Sequence, residues 1–193
     1  MSKEFKSKIE YSNRHIHPSR ELVEKLFGEG YELTVDKKLS QGEDFAAKET
    51  VEIIGPKGSV VGVRMVGPER EKTQIEILSA DAYKLGINVP VKVSGDIMNS
   101  PGVRVVGLID EVDLESGVII AKRHMHLSKQ DSDKFGLKDN DIVKVKIDGE
   151  RALIFDQVVV RVHKEFQTRV HVDTEEANAA GIKQDDEVSV IID

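Results

Sequence analysis

The sequence predicts a mainly β protein: two small β-barrels capped by short helices, related by a pseudo-twofold internal repeat. Three observations carry this expectation. Short apolar or alternating runs are many and are separated by turn signals. Helix-like segments are few and short, which favours barrels over a parallel α/β sheet. Several segments of the chain also occur twice. The length of 193 residues suits one large domain or two small ones. With 33% charged and 39% hydrophobic residues the balance is that of a globular chain.

The elements follow in order. Met1 to Ile9 is polar and charged and lacks the apolar centre of a signal peptide. Arg14-His15-Ile16-His17-Pro18-Ser19 leads into a helix carrying Leu22, Val23, Leu26 and Phe27, with Ser19 as its cap. Strands are expected over Val51–Ile54, Val60–Val66, Gln74–Leu78 and Val103–Ile109. More are expected over Gly117–Ile120, Ile142–Ile147, Val158–Val162 and Arg169–Val172. Gly55-Pro56-Lys57-Gly58, Ser100-Pro101-Gly102 and Asp148-Gly149 mark turns. No stretch approaches the roughly 20 apolar residues of a membrane span. A cytoplasmic protein without membrane partners is expected.

The repeat is the most informative feature. Arg14-His15-Ile16-His17-Pro18-Ser19 returns as Arg123-His124-Met125-His126-Leu127-Ser128, where Ser128 and Asp131 form a capping pair. Thr73-Gln74-Ile75-Glu76-Ile77 returns as Thr168-Arg169-Val170-His171-Val172, so Glu76 and His171 are equivalent. Each copy runs on into a short helix and a glycine, Ser79 to Gly86 and Thr174 to Gly181. Glycine followed by an aliphatic and a polar residue recurs at Gly86, Gly136 and Gly181.

These repeats bring histidines into equivalent places. Residues i and i+2 of a strand point to one face, with Cα atoms about 6–7 Å apart at the strand rise. Two imidazoles placed so can converge on one divalent ion. His15 with His17 and His124 with His126 are such pairs, and Glu76 and His171 offer each half a third ligand. One set is His15, His17 and Glu76 and the other His124, His126 and His171, unless the halves exchange segments and the partners cross over. Three protein ligands leave a position open for water or substrate, as in a catalytic metal site. His163 has no histidine partner, the equivalent position being read as Met65, and is taken as an ordinary strand histidine.

The net charge of −7 argues against nucleic acid, which needs a concentrated basic face. The absence of cysteine excludes disulfides, thiolate metal sites and a cysteine nucleophile. Local basic groups remain. Arg14 and Arg123 precede the histidine pairs but point away from His15 and His124 in strand geometry, so ion pairs compete with a substrate role. Arg70, in the loop before Glu76, carries a guanidinium whose fork matches phosphate oxygens.

The chain resembles the PduL-type phosphate propanoyltransferase family along nearly its whole length. The matching pieces include Ser12-Asn13-Arg14-His15-Ile16-His17, Gly55-Pro56-Lys57-Gly58, Gly62-Val63-Arg64, Thr73-Gln74-Ile75-Glu76 and Ser94-Gly95-Asp96. They continue through Arg123-His124-Met125-His126 and His171-Val172-Asp173-Thr174-Glu175-Glu176-Ala177-Asn178. The resemblance implies two barrels with a dimetal site, usually zinc, between them. Residues 14–121 would form the first barrel domain and 122–193 the second, completed by residues 1–13. It also implies that His15, His17, Glu76, His124, His126 and His171 are the metal ligands. Arg70 matches the family's phosphate-binding arginine. Ser12, Lys37, Arg64, Val66, Tyr83 and Asn178 match positions near coenzyme A. Tyr83 stands where phenylalanine usually stacks on adenine, and its ring keeps that face.

Two departures are visible. Only about a dozen residues precede the first histidine pair, so a free cytosolic form is expected rather than one addressed to a microcompartment lumen. Gln41-Gly42-Glu43-Asp44-Phe45 is more acidic than the resemblance leads one to expect, and is read as touching no ligand.

The expected activity is exchange of a short acyl group, propionyl or acetyl, between coenzyme A and phosphate. The resemblance ties this to propanediol degradation or acetate metabolism. With no cysteine and no Ser-His-Asp signature, direct transfer is expected. The substrates are small molecules, and a homodimer is expected. Two rivals are a metal-dependent hydrolase and a barrel module that binds metal or a protein without turnover.

Overall fold

In the computed structural model the described residues are 3–40 and 42–192. Their contacts divide the chain into two units: 14–39 with 43–121, and 1–13 with 40–42 and 122–193. Both are built mainly of strands.

In the first unit the strands are β2 (His15–His17), β3 (Val35–Lys38), β4 (Phe45–Ile54), β5 (Ser59–Gly67), β6 (Gln74–Glu76) and β7 (Val91–Lys92). β8 (Arg104–Val106), β9 (Glu111–Asp113) and β10 (Val118–Ala121) complete a nine-stranded sheet. It curls as a half-barrel rather than closing, with order β7-β10-β6-β2-β5-β4-β8-β9 and β3 beside β4. In the second unit β1 (Lys3–Ser12), β14 (Arg169–Asp173), β11 (His124–Ser128), β13 (Leu153–His163), β12 (Ile142–Ile147) and β15 (Glu187–Ile192) close a six-stranded barrel in that order. The two predicted barrels are therefore one closed barrel and one open curl.

The pairing explains the repeat. β2 lies parallel to β5 and antiparallel to β6. β11 lies parallel to β13 and antiparallel to β14. The residue between each pair of histidines turns into the core, where Ile16 and Met125 are 0% exposed. Each such burial contributes about 1.5–3 kcal/mol. Alternation then sends both histidines of a pair to the opposite face.

Among the described residues four helices cap the sheets: α1 (Arg20–Phe27), α2 (Ser79–Leu85), α3 (Lys129–Phe135) and α4 (Thr174–Ala180). Ser19 and Ser128 accept hydrogen bonds from the backbone N–H groups of Leu22 and Asp131, as their places before the helices predict. The same serines are tied to equivalent threonines: the Ser19 N–H donates to Thr73 Oγ1 and the Ser128 N–H to Thr168 Oγ1. The recurring glycines end α2, α3 and α4 in the left-handed region, at φ 74°, 74° and 69° for Gly86, Gly136 and Gly181.

Some expectations need correction. The run Val103–Ile109 is not one strand. It breaks at Gly107, whose N–H donates to the Asp110 carbonyl, and becomes the hairpin of β8 and β9. Side-chain room decides this, because a Cβ on Gly107 would come within 2.4 Å of Leu26 Cβ. Leu108 and Ile109, counted as strand hydrophobics, are 76% and 63% exposed. β4 and β13 begin well before the predicted Val51 and Val158, through residues whose alternation is blurred by charge. Residues 3–12 form a strand despite their polarity, paired with β14 on one side and β15 on the other.

The register also changes one equivalence. Met65 lies opposite Ile16, and Val160 opposite Met125, so Val160 is the counterpart of Met65. His163 lies opposite Ser128 at the exposed end of β13, still an ordinary strand histidine. Among the described residues, no helix is long and apolar enough to cross a membrane.

Candidate active site

The first histidine pair sits on a three-residue strand with Glu76 directly opposite His15 in the neighbouring strand. The facing positions bring the side chains together. His15 Nε2 is 3.2 Å from His17 Nε2 and 3.5 Å from Glu76 Oε2, and His17 Nε2 is 4.0 Å from Glu76 Oε1. In the second unit His124 lies directly opposite His171. Its ring centroid stands 5.1 Å from that of His171 and 4.8 Å from that of His126. In each group of three the available ligand atoms lie within 4.8 Å of one another. Each third residue lies beside the histidine pair of its own unit.

Burial sets the protonation of these rings. Desolvation, then His15 and Arg70, hold the His17 imidazole far below the usual histidine range. Burial, then His124 and Arg161, lower His126 to about 2. His171 is depressed by burial, then by His124 and His126. All three are neutral at physiological pH, with lone pairs available. His124 Nδ1 faces the Lys122 carbonyl at 3.0 Å, which assigns the proton to that nitrogen and leaves Nε2 as acceptor. His17 Nδ1 is buried and finds no hydrogen bond of good geometry among the described residues. Convergent imidazoles, with a carboxylate in one group, suit zinc or a neighbouring divalent ion. The donor sets therefore fit the metals expected from sequence, with Glu76 making the first group formally anionic.

Arg70 reaches the first group. Its backbone N–H donates to the Pro18 carbonyl, which anchors the loop beside His17. Its guanidinium nitrogen Nη2 is 3.2 Å from His17 Nε2 and 3.7 Å from Asp44 Oδ2. The acidic segment thus meets Arg70 through Asp44, and burial raises the Asp44 carboxyl despite that arginine. Gln41 of that segment lies outside the described residues. Beside Arg70 a cleft of about 620 Å³ is lined also by Lys72, Gln74, Gly95, Ile97 and Met98.

Arg14 and Arg123 are engaged structurally. Arg14 Nε is 2.7 Å from Asp81 Oδ2, and Arg123 Nε is 2.7 Å from Glu176 Oε1. The positions matched to coenzyme A are dispersed along the chain. Tyr83 on α2 is 86% exposed, and Lys37 and Asn178 are exposed. Arg64 donates to the Ala47 carbonyl at 2.7 Å, Val66 is buried, and the Ser12 carbonyl accepts from Thr174 Oγ1.

Two residues escaped sequence reasoning. Glu10 lies opposite His171 across β1 and β14, with Oε2 3.9 Å from His171 Nε2 and Oε1 2.9 Å from Arg169. Nothing local marks a glutamate in a polar strand. Gln74 is 2% exposed and donates to Glu76 Oε1 at 2.7 Å. Its place two residues before Glu76, on the same strand face, was the available signal.

Comparison with known proteins supplies the class that this fold and site belong to, an acyltransferase. The phosphate propanoyltransferase family profile matches residues 8–183. A phosphate propanoyltransferase of Thermotoga maritima is 51% identical over 181 residues, covering 93% of this chain and 86% of that one. Those of Listeria monocytogenes and Clostridioides difficile are 47% and 46% identical. They cover 91% and 94% of this chain, and 83% and 87% of their own. The chain belongs to the phosphate propanoyltransferase family.

Proposed function

We propose that the protein interconverts a short-chain acyl-CoA, propionyl-CoA or acetyl-CoA, and phosphate with the acyl phosphate and coenzyme A. The transfer is direct, at a dimetal site with one divalent ion, zinc by preference, at each histidine group. The observation that carries this reading is Arg70, held 3.2 Å from a buried neutral imidazole of the first group.

Bound divalent ions would supply Lewis acidity toward phosphate and acyl oxygens. The remaining work falls to the chain. The Arg70 guanidinium binds phosphate oxygens through its fork, limits their rotation and offsets their charge as the acyl group is transferred. His17, His126 and His171, kept neutral by burial, hold their lone pairs without competing protons. Ser12, Lys37, Arg64, Val66, Tyr83 and Asn178 are proposed to contact coenzyme A. The exposed Tyr83 ring offers an open face to adenine.

The test mixes the purified protein with coenzyme A and acetyl phosphate or propionyl phosphate and follows thioester formation, with and without chelator. Metal-dependent thioester formation is expected, and the two rates rank the acyl groups. Phosphate release without thioester would instead favour a hydrolase. Arg70→Ala should lower kcat by about 10²–10³ while the chain stays folded, and His126→Ala should abolish turnover. Wild-type rates in either variant would remove that residue from the assignment.

A further inference from the structure

Gln74 lies opposite His17 across β6 and β2, and its side chain is buried against Glu76. Its amide has a full set of partners. Nε2 donates to Glu76 Oε1 at 2.7 Å and to Ser94 Oγ at 2.8 Å. Oε1 accepts the Gly95 N–H at 2.7 Å. A backbone N–H can only donate, so the amide oxygen must face Gly95 and the nitrogen must face the carboxylate. The orientation of the amide is therefore set by the main chain at Gly95.

The consequence falls on Glu76. Its Oε1 is tied to Gln74, and its Oε2 stands 3.5 Å from His15 Nε2. With Oε1 held by the amide, the carboxylate cannot turn without breaking that bond, which keeps Oε2 on the side of His15. Glutamine suits this place on physical grounds. Glutamate would set two carboxylates against each other and share a proton between them, and lysine would compete with a cation.

We propose that Gln74 is a positioning residue. It fixes the Glu76 carboxylate toward His15 and His17, and its lock on Gly95 joins this ligand to the loop that lines the cleft. The inference rests on the metal reading proposed above. It concerns only the group of His15, His17 and Glu76, and predicts a local loss of ion affinity.

The experiment titrates zinc into the metal-free full-length chain against a chromophoric chelator, for wild type, Gln74→Met and Gln74→Glu. Wild type should bind two ions. Gln74→Met should bind one with unchanged affinity and the other about 10–100-fold more weakly, the range seen when a ligand's orienting partner is lost. Gln74→Glu, whose carboxylate offers no N–H to Glu76, should not restore the wild-type affinity of that site. Unchanged affinity at both sites in folded Gln74→Met would overturn the inference while leaving the metal reading intact. No zinc binding by wild type would overturn both. If Gln74→Met does not fold, Ser94→Ala removes one partner of the amide and should weaken the same site severalfold; an unchanged isotherm there would equally overturn the inference.

Discussion

Arg14 and Asp81 form an ion pair, Nε to Oδ2 at 2.7 Å, and Arg123 and Glu176 repeat it at the same distance. Each arginine immediately precedes a histidine pair. Each carboxylate also accepts a hydrogen bond from a backbone N–H at the start of its helix, Leu78 for Asp81 and Asp173 for Glu176. The strand that carries each histidine pair and the helix that follows Glu76 or His171 are thereby tied together in both copies. Asp81 is only 4% exposed. Asp81→Ala leaves Arg14 without this partner and opens the helix cap, so a loss of about 3 kcal/mol is expected in urea unfolding. A loss below about 1 kcal/mol would show that the tie is dispensable.

The second pair should show its charge through pH. Burial raises the Glu176 carboxyl, while Arg123 pulls it down. A carboxyl raised in the folded state supports stability below its unfolded pKa and loses that support as pH rises through the folded value. Arg123→Ala raises Glu176 further. Its destabilisation, about 1–3 kcal/mol at pH 7 for a partly exposed pair, should therefore shrink toward pH 4.5. Urea midpoints at the two pH values test the sign; an equal or larger loss at acid pH would contradict it.

Asp44 and phosphate would compete for Arg70. The Asp44–Arg70 pair is partly exposed, with 3.7 Å between its charged atoms, so its strength is about 0.5–1 kcal/mol. Asp44→Asn should lower KM for phosphate about two- to fivefold with little change in KM for coenzyme A. A higher phosphate KM would show that Asp44 orients the guanidinium rather than competing for it.

Metal-free protein should weaken in acid. His126 is lowered to about 2 from a usual value near 6.5, first by burial. Above pH 6.5 the imidazole is neutral in both states. Below it the unfolded chain takes a proton that the folded chain refuses, so stability falls with pH by up to about 1.4 kcal/mol per unit for each such ring. Urea midpoints of chelator-treated protein from pH 7.5 to pH 5 should fall, and His126→Gln should flatten the fall. Parallel curves for the two chains would refute the assignment.

Tyr83 tests the proposed adenine contact. Because it is 86% exposed, Tyr83→Ala should leave the unfolding midpoint within about 0.5 kcal/mol of wild type. The variant should raise KM for coenzyme A several-fold, while Tyr83→Phe keeps it. An unchanged KM in the alanine variant would place adenine elsewhere.

The sequence by itself determined the class of fold, the helix caps at Ser19 and Ser128, and the six residues of the two histidine groups, though not which third residue joins which pair. These depend on local rules: alternation along a strand, capping chemistry, and repetition of one motif. It did not determine that one sheet closes while the other only curls, nor the break at Gly107, which depends on the approach of Leu26. The engagement of Arg14 by Asp81, of Arg70 by Asp44 and of Glu76 by Gln74, and the approach of Glu10 to His171, came only with the tertiary structure. Those relationships need strands and loops distant in sequence to pair in one register, and β pairing carries no local signal of its partner. What surrounds each of these side chains, and so sets its direction, is decided by that pairing.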